Sequence, residues 1–149
     1  MGQDMCIMTL CHRKGVVPNL DNALKFIDHL TTIEIENIDW GQDYGWDELE
    51  TDGRPMSDIL ADVQDILRRA IGDVFDSLNW RDVTWIQVNG WQVHITGGMD
   101  GGTESFDVWS RIHNDYGTLG WEVLQAAGFE NPPSDAEPYK IEEEASIHD

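Results

Sequence analysis

The dipeptide Asn89-Gly90 separates two short runs of β-branched and aromatic residues, 83–88 and 91–96, and such a pair is the strongest short-range signal for a β-hairpin. A two-residue turn leaves little choice of register. It sets Val88 against Trp91, Ile86 against Val93 and Thr84 against Ile95 on one face of the ribbon. Trp85 then falls opposite His94, and Gln87 opposite Gln92, on the other face. The first face is the more apolar and is expected to be the core face.

A hairpin needs further elements to bury it, and the flanking sequence supplies them. After Ser57, a plausible N-cap, apolar residues recur at helical spacing from Ile59, Val63, Leu67 and Ile71 to Leu78, with Asp62, Asp65, Arg68 and Arg69 on the outer side. Residues 5–12 read as a short buried strand, and a helix capped by Asn19 or Asp21 carries Leu20, Leu24, Ile27 and Leu30. Residues 32–38 alternate with period two and predict an edge strand, whereas residues 39–55 lose all periodicity and read as a loop. Beyond the hairpin, Thr103 caps a helix facing inward through Phe106, Trp109 and Ile112. After a break at Tyr116-Gly117, a last helix ends at the C-capping Gly128. The order mixes helices with an antiparallel hairpin and predicts an α+β fold, a small mostly antiparallel sheet with about four helices packed on it. One domain is expected over residues 1–130, followed by an acidic, disordered tail.

Charge narrows the function classes. Among 149 residues, 29 Asp and Glu stand against nine Lys and Arg, a net charge of -20, while 40% of the composition is hydrophobic. That apolar share suits a folded chain with charge on its surface rather than an acidic disordered one. Such a surface repels nucleic-acid phosphates and anionic lipid, so neither direct nucleic-acid binding nor membrane binding is expected. No apolar run approaches the roughly 20 residues of a membrane span, and the first residues lack a secretory pattern. Cys6 and Cys11 are an odd number of positions apart on one expected strand, so their side chains point to opposite faces and a disulfide between them is disfavoured. Two thiols without a secretory signal suit a reducing cytoplasm.

The acids concentrate in one segment. Glu34, Glu36, Asp39, Asp43, Asp47, Glu48, Glu50 and Asp52 follow one another with no Lys or Arg among them, interleaved with Trp40, Tyr44 and Trp46. Carboxylates can replace phosphates and exposed rings can replace bases, so this alternation is able to imitate a nucleic-acid strand toward a basic groove. The bland alternative is a solvated acidic surface whose tryptophans fold back on the core. Asp39, Asp43, Asp47 and Glu50 also approach the ligand spacing of a calcium loop, but Gly41 takes a ligand position and Tyr44 stands where the turn glycine belongs. No metal or cofactor is expected.

The glycine-rich stretch 96–103 lies between a strand and a helix, yet it matches no phosphate-binding pattern, and Asp100 and Glu104 put negative charge where an anion would sit. A second reading places a small-molecule or nucleotide cleft beside it, lined by His94, Thr103, Glu104 and Asp107, with His94 and a carboxylate as an acid and base pair. No nucleophile motif is present, which leaves an enzyme the less favoured class.

Val93-His94-Ile95-Thr96-Gly97-Gly98-Met99, followed by a small-residue loop and an aromatic helix ending at Ala126-Ala127-Gly128-Phe129, resembles a motif of small phage and mobile-element proteins. The likeness covers roughly the last third of the fold, and Asp100-Gly101-Gly102-Thr103 stands here where that group carries Ser-Trp-Gly-Asp. It brings no activity with it. With the charge, it implies a phage-encoded protein that meets a basic partner protein through residues 34–52, in the manner of a counter-defence inhibitor.

Overall fold

In the computed structural model, which describes residues 6–38, 40, 44–47, 49–98 and 103–131, Asn89 and Gly90 take φ values of 46° and 85°. Two successive left-handed residues are what a type I′ turn requires, and its twist matches that of the strands it joins. β2 (Thr84–Val88) and β3 (Trp91–Gly98) pair in the register expected from that turn. β1 (Cys6–Arg13) lies antiparallel along the other edge of β3, Leu10 opposite His94, so the sheet order is β1-β3-β2.

Five α-helices complete the α+β architecture of the described residues. α1 (Leu20–Asp28) is capped by the Asn19 side chain, which accepts from the Asp21 N–H at 2.7 Å. α3 (Met56–Ser77) is the longest and buries Ile59, Val63, Leu67, Ile71 and Val74 along one stripe. Each such side chain contributes about 1.5–3 kcal/mol when removed from water. Pro55, not Ser57, occupies its cap position, where a missing N–H costs nothing, and Ser57 lies in the first turn. α4 (Glu104–Ser110) starts on Thr103, whose hydroxyl accepts from the Phe106 N–H, and α5 (Gly117–Ala127) ends on Gly128 at φ 114°.

The segment expected as an edge strand is a helix, α2 (Thr32–Glu36). Thr31 and Glu34 form a reciprocal capping box, in which the Thr31 hydroxyl accepts from the Ile33 N–H and the Glu34 carboxylate accepts from the Thr31 N–H at 2.7 Å. In a strand Ile33 and Ile35 would share a face. Here Ile35 is buried and Ile33 is 68% exposed, while Ile38, three residues further on, packs against the core with Ile35. The alternation of isoleucine and glutamate imitated a strand, but the local hydrogen bonds of the box and the i, i+3 pair favour one helical turn.

The choice of sheet face also differs from expectation. Met8 and Leu10 join the main core, Phe129 lies against His12 and His94, and Thr96 is bonded to the start of α4, so the helices cover the face that carries His94. Trp91, Val93 and Ile95, on the face expected to be the core, gather instead with Cys11, Ile7, Ile86 and Val88 in a separate, smaller apolar cluster.

Three contacts lock the helices together. Ser77 donates to the Val74 carbonyl at 2.6 Å and accepts from the indole N–H of buried Trp109, tying α4 to the end of α3. Arg68 on α3 bridges Asp28 of α1 and Asp65, each at 2.8 Å. Between α4 and α5 the backbone widens into a π turn (Arg111–Asp115), and Gly117 at φ 63° redirects the chain. This fold-back brings Gly120 so close that a Cβ there would stand 2.2 Å from the Ile112 carbonyl oxygen. Gly120→Ala therefore forces α5 away from the π turn. It is expected to destabilise the chain by about 1–3 kcal/mol, read as a lower urea midpoint at unchanged m-value.

Candidate functional site

The acidic segment is fastened to the core by Trp40 and Trp46, while the side chain of Tyr44 lies outside the described residues. Tyr44–Trp46 form a short 3-10 turn whose Trp46 ring is only 2% exposed, set between Trp40 at 5.7 Å and Tyr116 at 4.8 Å. Gly45 is required there, since a Cβ would meet the Tyr116 ring at 2.3 Å. Trp46 is thus an internal anchor and not a stacking surface, and Trp40 is half-buried beside it.

Around this anchor the carboxylates face water. Glu34 and Glu36 project from α2, and Asp47, Glu50 and Asp52 are exposed along the following chain; Asp39, Asp43 and Glu48 lie outside the described residues. Among the described residues no Lys or Arg forms an ion pair with any of these five. Arg54, at the end of the segment, turns to Asp62 at 2.7 Å and donates to the Glu50 carbonyl. The Thr31 hydroxyl and N–H hold the Glu34 carboxyl below its ordinary value, so it stays ionised.

Folding adds carboxylates that no local pattern pointed to. A groove of about 500 Å³ between α2 and the start of α5 has Glu34 on one side and Glu122 on the other, with Asn37, Ile38, Thr118 and Leu119 between them and no cationic side chain in its lining. Asp115 of the π turn is raised by burial, an effect opposed by Arg111 and reinforced by the nearby charge of Asp47. These three stretches are brought together by the fold-back at Gly117, a tertiary event with no sequence signature of its own.

The second set of expected site residues is divided. Thr103 belongs to a hydroxyl cluster: its Oγ1 donates to the Gly97 carbonyl at 3.1 Å and meets Thr96 Oγ1, which in turn lies 2.6 Å from Ser105 Oγ. Ser105 donates from both N–H and hydroxyl to Asp82. Desolvation alone would raise Asp82, but these bonds, with one from Thr103, outweigh it and hold the carboxyl low, which makes it a weak base toward the Ser105 hydroxyl. The cluster latches α4 to β3. Glu104 and Asp107 are exposed on α4, and Met99–Gly102 lie outside the described residues.

His94 faces elsewhere. It lines a recess of about 390 Å³ with His12, Gln92, Trp85, Val17, Pro18 and the end of α3 at Phe75, Leu78 and Asn79, and no carboxylate is among them. The ring is 1% exposed, with neither nitrogen hydrogen-bonded, and the Trp85 indole sits edge-on to it at 3.9 Å. Burial, with a smaller contribution from His12, pushes its pKa down to about 4. Cys11, on the opposite sheet face, is a buried free thiol pushed up to about 12 by desolvation and is inert at neutral pH.

Among the described residues no group of three or more His, Cys, Asp and Glu is arranged to hold a metal ion, and no helix is long and apolar enough to cross a membrane. No protein-family model, curated protein or solved structure matches the chain.

The depressed His94 value has a measurable consequence. Unfolded, this histidine takes up a proton near pH 6.5; folded, it stays neutral down to about pH 4. Between these values the unfolded state binds more protons, so stability is complete above about pH 6.5 and declines as pH falls toward 4. The loss attributable to His94 is on the order of 3 kcal/mol. Urea unfolding from pH 7.5 to 4 is expected to give a steeper decline for the wild-type chain than for His94→Phe, and parallel curves would refute the assignment.

Proposed function

We propose that this chain is an acidic protein-binding module that docks on a basic groove of a nucleic-acid-processing protein and occupies it in place of nucleic acid. The observation that carries the reading is a run of exposed carboxylates without cationic partners among the described residues: Glu34 and Glu36 on α2, then Asp47, Glu50 and Asp52, with the half-buried Glu122 across the groove. An unneutralised set of this kind attracts a positive surface, accelerates encounter and repels phosphate.

In this reading the contact is made of carboxylates and one exposed aliphatic side chain, without stacked tryptophan. Trp46, buried under Tyr116, no longer serves as a stacking group; its part is to hold the carboxylates on a rigid base, which lowers the ordering cost of binding. Ile33, exposed beside Glu34 and Glu36, takes over as the apolar contact. The resemblance to small phage and mobile-element proteins agrees with a counter-defence role, and the net charge of -20 agrees with a target that normally holds DNA or RNA.

The test is affinity capture from a bacterial lysate, followed by titration of the purified partner. A partner with a basic groove is expected whose affinity falls at least about tenfold between 50 and 300 mM salt and which duplex DNA or RNA displaces. The combined variant Glu34→Gln, Glu36→Gln, Asp47→Asn, Glu50→Gln, Asp52→Asn should weaken that complex by about tenfold or more and flatten its salt dependence. Neutralising Asp73 and Asp76 on α3 should leave it unchanged. Recovery only of partners indifferent to salt and to nucleic acid would sink the reading.

A further inference from the structure

Independently of the acidic surface, we infer that the recess behind Trp85 is a binding site for a small, neutral, planar molecule bearing one hydroxyl or ring N–H, which pairs with the His94 imidazole.

Four observations converge on it. His94 is almost completely buried, yet neither ring nitrogen has a partner, although a neutral imidazole carries one donor and one acceptor that both require one. The recess, about 390 Å³, falls within the range of small-molecule sites, roughly 300–1,000 Å³, and its walls are mostly aromatic and aliphatic, with Phe75, Leu78 and Trp85 beside the uncharged polar Asn79 and Gln92. No Asp, Glu, Lys or Arg lines it, in contrast to the rest of this acidic chain, so its chemistry suits an uncharged occupant. His12 lies beside His94 with ring centroids 5.2 Å apart, and its Nδ1 is 3.1 Å from the Arg13 carbonyl. A carbonyl only accepts, so His12 Nδ1 donates there, which orients the His12 ring beside His94.

Access is through Trp85. This residue lies on β2, an edge strand, is 52% exposed, and covers His94 with the edge of its ring. The indole packs directly on the imidazole, so a guest reaches His94 once the Trp85 side chain turns about its own bonds, a movement that leaves the sheet in place.

Two imidazoles without a third protein ligand make a poor metal site, and metal binding is therefore the competing outcome of the test. The full-length, isotope-labelled chain is titrated with 2-naphthol, with naphthalene as the analogue lacking a donor, and separately with zinc ion. Saturable shifts of the His94 ring nitrogens and the Trp85 indole are expected with 2-naphthol below about 1 mM, with naphthalene at least about tenfold weaker. Intermolecular NOEs from the probe to Phe75 and Trp85 locate it in the wild-type chain, whatever the fate of any variant. His94→Phe should lose about tenfold or more in 2-naphthol affinity, and Leu78→Trp, which fills the recess, should abolish binding. Equal affinity for the two probes, no shift at His94 and Trp85, or tight zinc binding to His12 and His94 without any effect of 2-naphthol would each overturn the inference.

Discussion

β3 is the constraint on which the other elements depend. It is hydrogen-bonded on both edges, to β1 and to β2, and is buried along most of its length on both faces. A central strand in a three-stranded sheet must find apolar partners on each side, and this one does so unequally. One face meets the helices through His94 and Thr96, while the other keeps Trp91, Val93 and Ile95 with Cys11 in a cluster of their own. The burial of an imidazole follows from that arrangement. His94 lies where the end of α5, carrying Phe129, and the end of α3, carrying Phe75, converge on the sheet.

The acidic surface rests on the same packing at one remove. Tyr116, at the turn between α4 and α5, receives Trp46 on its ring and an Arg111 hydrogen bond at 2.9 Å on its hydroxyl. Through that stack Trp40 and the turn Tyr44–Trp46 are fixed to the core. The few basic residues contribute locally: the ion pairs of the described residues join partly exposed side chains, and such pairs are worth about 0–1 kcal/mol each. Cohesion of so negative a chain is therefore the task of its apolar core, which leaves Glu34, Glu36, Asp47, Glu50 and Asp52 exposed.

The two candidate sites differ in how far they could be read in advance. The carboxylates were visible because charge is carried by residue type alone. Their setting was not, since Glu122 and Asp115 join them only after the π turn and Gly117 fold α5 back. Thr31-Thr32-Ile33-Glu34 contains a capping box that identifies a helix start, and it was the available signal against an edge strand. The recess at His94 had no such signal. Its walls come from the end of α3, the loop after β1 and all three strands, and residue identity does not say which face of a hairpin the helices will cover.

By itself the sequence determined whatever is decided by contacts within a few residues. Asn89-Gly90 set the hairpin register because both residues readily take the left-handed conformation that a two-residue type I′ turn needs. The spacing of Ile59, Val63, Leu67 and Ile71 set α3, and Asn19, Thr103 and Gly128 marked helix ends through their own hydrogen bonds and backbone freedom. Only the tertiary structure decided which sheet face became the main core, that Trp46 is an anchor and not a contact, and that His94 stays neutral under Trp85. Each of these depends on the desolvation of a side chain by residues distant in sequence, and burial is a property of the assembled packing, absent from any local stretch of chain.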